Sequence, residues 1–167
     1  MTPEQAGSII SLTYFFVIPG MPALASLSDF LRTRRKIIII SSAIAIIDTT
    51  VLALLGPKIT YPLLLGQGVL FGLTAGLAGT LAFTALRETL PLRFIGTGIG
   101  ILQTLPYLLV APLAQKLVGL VLESRIANGA SEPEAYSIAM LVNVVFLIIG
   151  FIAAYFVKES FGKGEPA

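Results

Sequence analysis

The stretch Ile37–Leu55 reads IIIISSAIAIIDTTVLALL, 19 residues of which only Asp48 is charged. A helix needs about 20 apolar residues to cross the hydrocarbon core of a bilayer. The isoleucine run is β-branched, but 19 residues without a turn signal are too long for a strand, and strands of membrane barrels alternate apolar and polar residues. This stretch is therefore predicted to be a transmembrane helix.

Four further apolar runs have the same character, and the charged residues concentrate between them. The chain is therefore predicted to be all-α, a polytopic membrane protein with one transmembrane helical domain over residues 1–167. Its five predicted transmembrane helices cover residues 8–27, 37–55, 61–85, 94–122 and 136–157.

The composition supports this class and excludes several kinds of site. Apolar residues make up 56% of the chain and charged residues 12%, about half the charged fraction usual in soluble proteins. His, Cys and Trp are absent, which removes the usual zinc, haem and iron–sulfur ligands and the imidazole and thiolate catalysts. A net charge of +2 provides no basic field for nucleic acid. No catalytic residue, metal or cofactor is predicted, and an enzyme is not expected.

The distribution of Lys and Arg predicts the orientation, because short cytoplasmic loops carry the excess of positive charge. Eight of the 11 basic residues fall on one side of the predicted bundle, and two, Lys58 and Arg125, on the other. We therefore expect an integral protein of the cell (plasma) membrane, with the amino terminus outside and the carboxy terminus in the cytoplasm. The eight residues are Arg32, Arg34, Arg35, Lys36, Arg87, Arg93, Lys158 and Lys163.

Two segments have the pattern of a helix start. Thr2 is followed by Pro3 and then by Gln5, and Ser131 is followed two and three residues later by Pro133 and Glu134. Such spacing is typical of a capping box, in which the two side chains bind each other's backbone N–H groups. We expect the first and last helices to begin at these segments.

The third span carries glycines at every fourth position, at Gly68, Gly72 and Gly76. Small residues at this spacing form one smooth helix face, against which another helix can pack closely. The face is interpreted either as static packing or as a mobile contact along which helices slide.

Polar groups within the spans are the candidates for a solute path. Asp48 is the one acid inside a span, and such residues are costly in lipid, which favours a proton or ion role. The alternative is a neutral or hydrogen-bonded carboxyl group. Uncharged polar side chains inside the spans are further candidates, and for each of them the alternative is an interhelical hydrogen bond.

The loop between the first two spans places an Asp at the end of one helix and a basic cluster at the start of the next. It resembles the loop motif Gly-x-Leu-Ser-Asp-Arg-x-Gly-Arg-Arg of the major facilitator superfamily of secondary transporters. The matching residues are Leu27, Ser28, Asp29, Arg34 and Arg35.

The match is partial, and two other segments accompany it. Ala25 and Phe30 replace the first Gly and the first Arg of the motif, and Arg32 stands near its inner Gly. Residues 6–8 resemble the start of the eighth family helix, and residues 87–96 resemble the link between the tenth and eleventh.

The resemblance implies that the five spans correspond to helices eight to twelve, the carboxy-terminal half of such a transporter without its seventh helix. The same register implies an outside start and a cytoplasmic end. The implied function is part of a membrane solute transporter that works by alternating access and is not expected to transport alone. Its expected partners are the lipid bilayer, an unknown small solute, and the missing amino-terminal half or another transmembrane chain.

The resemblance also implies roles for particular residues. The loop residues would form a gating latch between Asp29 and the basic cluster, the alternative being a solvated charge cluster that stops translocation. Since family helices eight, ten and eleven line the cavity, four polar residues become lining candidates. The gating residues are Asp29, Arg32, Arg34 and Arg35, and the lining candidates are Tyr14, Gln67, Gln103 and Tyr107.

An alternative function is a non-catalytic membrane assembly or interaction subunit. In this hypothesis the glycine face of the third span binds a helix of another chain.

Overall fold

The computed structural model describes residues 2–161, except for the side chains of residues 57 and 75–79. Each predicted span lies within one helical stretch, to within one residue at the end of the last span. The elements are α1 (Pro3–Phe30), α2 (Arg35–Leu55), a 3-10 turn (Gly56–Lys58), α3 (Tyr61–Thr89), α4 (Leu92–Leu105), a π-helical turn (Pro106–Val110), α5 (Ala111–Ala127) and α6 (Glu132–Phe156).

Among the described residues, four helical stretches are long and apolar enough to cross a membrane: Pro3–Phe30, Arg35–Leu55, Leu92–Ala127 and Glu132–Phe156. In α3, the described residues before residue 75, Tyr61–Thr74, form a shorter apolar helix. The all-helical fold with several long apolar helices is compatible with a membrane protein. The fifth span stays a prediction.

Helix packing leaves much of the bundle surface apolar. Helix α1 packs on α3, α3 on α2, α2 on α6, and α6 on α5, while α4 contacts α3 beside their short link. Neither α4 nor α5 contains a buried residue. Many large apolar side chains are therefore exposed on the outside of the bundle, which is compatible with a lipid environment.

Both predicted helix starts are confirmed. The Thr2 hydroxyl accepts a hydrogen bond from the Gln5 N–H at 3.3 Å, and the Gln5 side-chain oxygen accepts one from the Thr2 N–H at 3.0 Å. At the start of α6, the Glu134 carboxylate accepts hydrogen bonds from the N–H and hydroxyl of Ser131. These side chains satisfy N–H groups that have no partner within the helix.

Glycines allow α1 and α3 to approach closely. A Cβ at Gly20 would lie 3.1 Å from the Cα of Leu73, and a Cβ at Gly72 would overlap the carbonyl oxygen of Thr13. A Cβ at Gly68 would lie 2.8 Å from Oγ1 of Thr13. At Gly68 and Gly72 the glycine face therefore packs on the first helix of the same chain. Gly76, the third predicted member of this face, lies outside the described side chains.

The fourth predicted span is a continuous helical stretch with a π-helical turn at its middle. Pro106 begins this turn and has no N–H to donate, so the regular hydrogen bond four residues back is missing. The Ala111 N–H instead donates to the carbonyl of Pro106, five residues earlier. The irregular hydrogen bonding of this helical stretch is therefore confined to the π-helical turn Pro106–Val110.

Helix α1 ends in a Schellman motif whose left-handed position is occupied by Arg32. The Arg32 N–H donates to the Asp29 carbonyl and the Thr33 N–H to the Ser28 carbonyl, both at 3.2 Å. Arg32 has φ +50°, a conformation that glycine adopts without steric cost.

Replacing Arg32 with glycine is therefore expected to raise the free energy of unfolding by about 1 kcal/mol, because the left-handed strain is removed. Unfolding by sodium dodecyl sulfate in mixed micelles measures this change. The Arg32→Ala variant removes the charge and keeps the strain, so it should not be stabilised. Equal stabilisation of both variants would assign the effect to the charge.

Candidate functional site

The described residues with the densest ionic and hydrogen-bond network form an ionic cluster where four helices end or begin. We use this name for Asp29 at the end of α1, Arg34 before α2, Glu88 at the end of α3, and Glu159 after α6. The cluster lies at the end of the bundle that the charge distribution predicts to be cytoplasmic. It joins residues that are 5 to 125 positions apart in sequence.

Arg34 is the centre of the cluster, and its side chain is only 9% exposed. Its Nη1 lies 2.5 Å from Oδ1 of Asp29, and its Nη2 lies 2.9 Å from Oε1 of Glu88. The Nε also donates to Glu88, and the guanidinium lies 5.0 Å from the centre of the Phe161 ring. One planar cation with several donors thus links the ends of α1 and α3 to the start of α2.

Glu159 caps α2 from the other end of the chain. Its carboxylate accepts hydrogen bonds from the Arg34 N–H at 2.8 Å, the Arg35 N–H at 3.3 Å and the Thr33 hydroxyl at 2.6 Å. The first residues of α2 are basic, which is unfavourable at the positive end of a helix dipole. Within this segment the Thr33 hydroxyl accepts from the Lys36 N–H at 3.4 Å, but the Arg34 and Arg35 N–H groups have no acceptor there. The distant carboxylate supplies both the missing acceptor and the missing negative charge.

Two serine hydroxyl groups complete the network. The Ser28 hydroxyl donates to the Thr33 carbonyl at 2.8 Å and accepts from Arg34 Nη1 at 3.1 Å. The Ser160 hydroxyl donates to Oε2 of Glu88 at 2.7 Å. Both serines are fully buried, so these bonds satisfy groups that water does not reach.

The pKa of Arg34 is raised above its usual value. Burial alone would lower this pKa, but hydrogen bonds and charge interactions with Glu88 and Asp29 outweigh it. The guanidinium therefore stays charged, and the cluster acts as an ionic clamp rather than as a proton carrier.

The pKa of Glu159 is lowered to about 2. Burial would raise it, but the hydrogen bonds from Thr33 and from the backbone N–H groups of Arg34, Phe161 and Arg35 favour the carboxylate. Since the folded pKa lies below the unfolded one, Glu159 stabilises the fold above about pH 4.5, and this contribution is lost as the pH falls toward 2.

We therefore expect the unfolding free energy of the wild-type chain to fall between pH 4.5 and 2, and the Glu159→Gln variant to show a flatter pH dependence. Denaturant unfolding in detergent across this pH range measures the effect. The matched control is Glu123→Gln, which changes an exposed acid of α5 and should keep the wild-type profile. A wild-type profile in Glu159→Gln would contradict the capping role.

The four predicted gating residues have different roles in the structure. Asp29 and Arg34 form the predicted contact, whereas Arg32 takes part in no ion pair among the described residues and forms the turn. Arg35 donates from Nη2 to the carbonyl of Tyr155 at 2.6 Å, so it binds the end of α6 instead of Asp29.

Three of the four predicted lining residues are exposed, and the fourth, Gln67, binds Asp48. Tyr14 on α1 and Tyr107 in the π-helical turn are 68% and 72% exposed, and Gln103 on α4 is also exposed. Gln67 is half-buried and donates from Nε2 to Oδ2 of Asp48 at 3.0 Å. The intramembrane acid and Gln67, predicted separately, thus form one contact between α2 and α3.

Sequence spacing did not indicate Glu88, Glu159, Thr33 or the two serines as partners in the cluster. The available signals were weak: Glu88 lies in the segment that resembles the link between the tenth and eleventh helices, and Glu159 is an acid just after the last span. Lys163, which contributed to the predicted orientation, lies outside the described residues.

No protein-family model, curated protein or solved structure matches this chain.

Proposed function

We propose that this chain is part of a membrane solute transporter of the major facilitator type, which works by alternating access. In this proposal its helices correspond to the eighth to twelfth of the complete transporter. The observation that carries the proposal is the ionic cluster, in which Arg34 binds Asp29 and Glu88 and so connects three helices at one end of the bundle.

The cluster supports a gating role because its contacts can break as a unit. Asp29 is 60% exposed, so water can replace its contact with Arg34 when the helix ends separate. In the proposal, the contacts of Arg34 with Asp29 and Glu88 belong to the closed arrangement, and an open arrangement would release α1 and α3 from the start of α2. Such a pair of states is what alternating access requires.

The exposed helices support an incomplete assembly. The stretch Leu92–Ala127 contains no buried residue in its most apolar part, and α1 buries almost none. In the proposal, these surfaces contact lipid and an amino-terminal half or another transmembrane chain. The chain alone does not transport, and its solute is a small molecule of unknown class.

The proposed location is the cell (plasma) membrane, with the amino terminus outside and the ionic cluster in the cytoplasm. Because the chain has no Cys, a single cysteine can be introduced at residue 2 or at residue 162 and tested with an impermeant maleimide in intact cells. Only the first cysteine should react. Labelling of the cysteine at residue 162 alone would show that the orientation is the reverse of the proposed one.

The function is tested by joining the chain to a seven-helix amino-terminal segment from its own genomic neighbourhood and reconstituting both forms in liposomes. Uptake from a mixture of small solutes is followed by mass spectrometry. The joined protein should accumulate at least one solute, and the chain alone none. The Asp29→Asn form of the joined protein should lose at least tenfold in rate, while Arg125→Gln should not. Transport by the chain alone, or unchanged transport by Asp29→Asn, would contradict the proposal.

The alternative of an assembly subunit is less well supported. Its glycine face is already covered by α1 at Gly68 and Gly72, so at these positions no helix of another chain can pack there without displacing α1.

A further inference from the structure

A second polar feature lies between α2 and α3, away from the ionic cluster. A cavity of about 290 Å³ is lined by Asp48, Gln67 and Gly66, together with aliphatic side chains such as Val51, Leu63 and Leu70. Its volume is near the lower end of the range for small-molecule sites, about 300–1,000 Å³. No aromatic side chain lines it among the described residues.

Asp48 has an incomplete set of partners at this cavity. The residue is 8% exposed, and Gln67 is its one hydrogen-bond donor in the described part of the chain, to Oδ2. Its other oxygen, Oδ1, accepts no hydrogen bond from the described residues, and neither ion pair of the described structure includes Asp48. Either a proton or a cation relieves the cost of a buried carboxylate, and a cation with N–H groups does so while it also fills the space beside Oδ1.

Gln67 indicates how many hydrogen-bond donors the occupant carries. Because its Nε2 donates to Asp48, its carbonyl oxygen is a second acceptor beside the carboxylate. A ligand with two or three N–H donors on one charged nitrogen matches this pair of acceptors, and an alkyl group matches the aliphatic walls.

We propose that Asp48 and Gln67 bind a small primary or secondary alkylammonium ion in the cavity between α2 and α3. The ammonium group pairs with the Asp48 carboxylate and donates to the Gln67 carbonyl, and the alkyl group lies against Val51, Leu63 and Leu70. This site does not depend on the transporter proposal, since it uses only contacts within this chain.

Other cations fit less well. A quaternary ammonium ion has no N–H to donate and is usually bound by aromatic faces, which the described lining lacks. Bare metal cations such as calcium need six to eight oxygen ligands, whereas this cavity offers two side chains with oxygens.

Gly66 offers a way to close the cavity without removing the acid. A Cβ at Gly66 meets no atom within 4 Å, so Gly66→Leu adds a side chain to the cavity lining without a clash at Cβ. Gly150 on α6 is equally open and does not line this cavity, so Gly150→Leu is the matched control.

The test uses the full chain, with carbon-13-labelled leucine methyl groups, in nanodiscs of zwitterionic phosphatidylcholine. Titration with n-butylammonium should shift the methyl resonances of Leu63 and Leu70. Asp48→Asn and Gly66→Leu should each weaken the apparent affinity at least tenfold, and Gly150→Leu and Glu123→Gln should remain within twofold of wild type. Helix content from circular dichroism shows which variants are folded.

Each result decides the proposal. Selective binding of n-butylammonium over 1-butanol and tetramethylammonium, with loss in both cavity variants, supports it. Equal shifts with 1-butanol would reveal an apolar cavity only, and equal shifts with tetramethylammonium or sodium would reveal a non-specific anionic site; both overturn it. The proposal is also overturned by an absence of shifts, or by wild-type affinity in folded Gly66→Leu.

Discussion

The Arg34→Met variant is expected to lose about 3–5 kcal/mol of unfolding free energy, the cost of breaking a buried ion pair by removing one partner. Arg34 is the only cation paired with Asp29 and Glu88 among the described residues, and its side chain is almost fully buried. Its loss leaves the Glu88 carboxylate, which is 18% exposed, without its countercharge. Removing one residue should therefore loosen α1, α2 and α3 together.

Unfolding by sodium dodecyl sulfate in mixed micelles, followed by far-ultraviolet circular dichroism, measures this loss. Arg34→Lys should recover only part of the stability, because an ammonium cannot make the same set of hydrogen bonds to Asp29 and Glu88. The control is Arg125→Met, which changes an exposed cation of α5 and should stay within about 0.5 kcal/mol of wild type. Equal stability of Arg34→Met and Arg125→Met would show that the ionic cluster does not hold the helix ends together.

The Gly72→Ile variant is expected to lose about 3 kcal/mol, at the upper end of overpacking effects. A Cβ at Gly72 overlaps the carbonyl oxygen of Thr13, which is backbone and cannot rotate away. The Cβ of Phe16, three residues further along α1, lies 3.1 Å from the new atom. Helix α1 must therefore move away from α3.

The separation can be measured directly by double electron–electron resonance between spin labels on α1 and α3, along with the unfolding free energy. Gly100→Ile is the matched control, because a Cβ at Gly100 meets no atom within 4 Å. An unchanged distance and stability in Gly72→Ile, with loss of a co-purifying membrane protein, would favour the assembly function instead of internal packing.

The helical fold could be predicted because its causes are local. Runs such as Ile37–Leu55 are too apolar and too long for other structures, and the capping boxes at Thr2 and Ser131 involve residues three apart. The pairing of helices was not predicted, since lipid-exposed and helix-contacting faces are both apolar in these spans. Gly72 indicated a close contact, but the sequence pattern did not name α1 as its partner.

The candidate site was predicted only in part, for a similar reason. Asp29 and Arg34 are five residues apart, so the loop pattern contained both. Glu159 reaches the same place from a position 125 residues after Arg34, and sequence spacing does not indicate such a contact. Arg32 was assigned to the latch by its charge, whereas its backbone conformation determines its place. The contact of Asp48 with Gln67 likewise depends on how α2 and α3 align.

The cap that Glu159 provides to α2 has a consequence for biogenesis. During synthesis the amino-terminal end of α2 emerges long before Glu159 is made, since 125 positions separate Arg34 from its acceptor. Until then, the Arg34 and Arg35 N–H groups at the basic start of α2 lack the carboxylate that accepts from them. The cluster can therefore form in full only after α6 and Glu159 have been synthesised, so a chain whose translation stops before residue 159 lacks this cap.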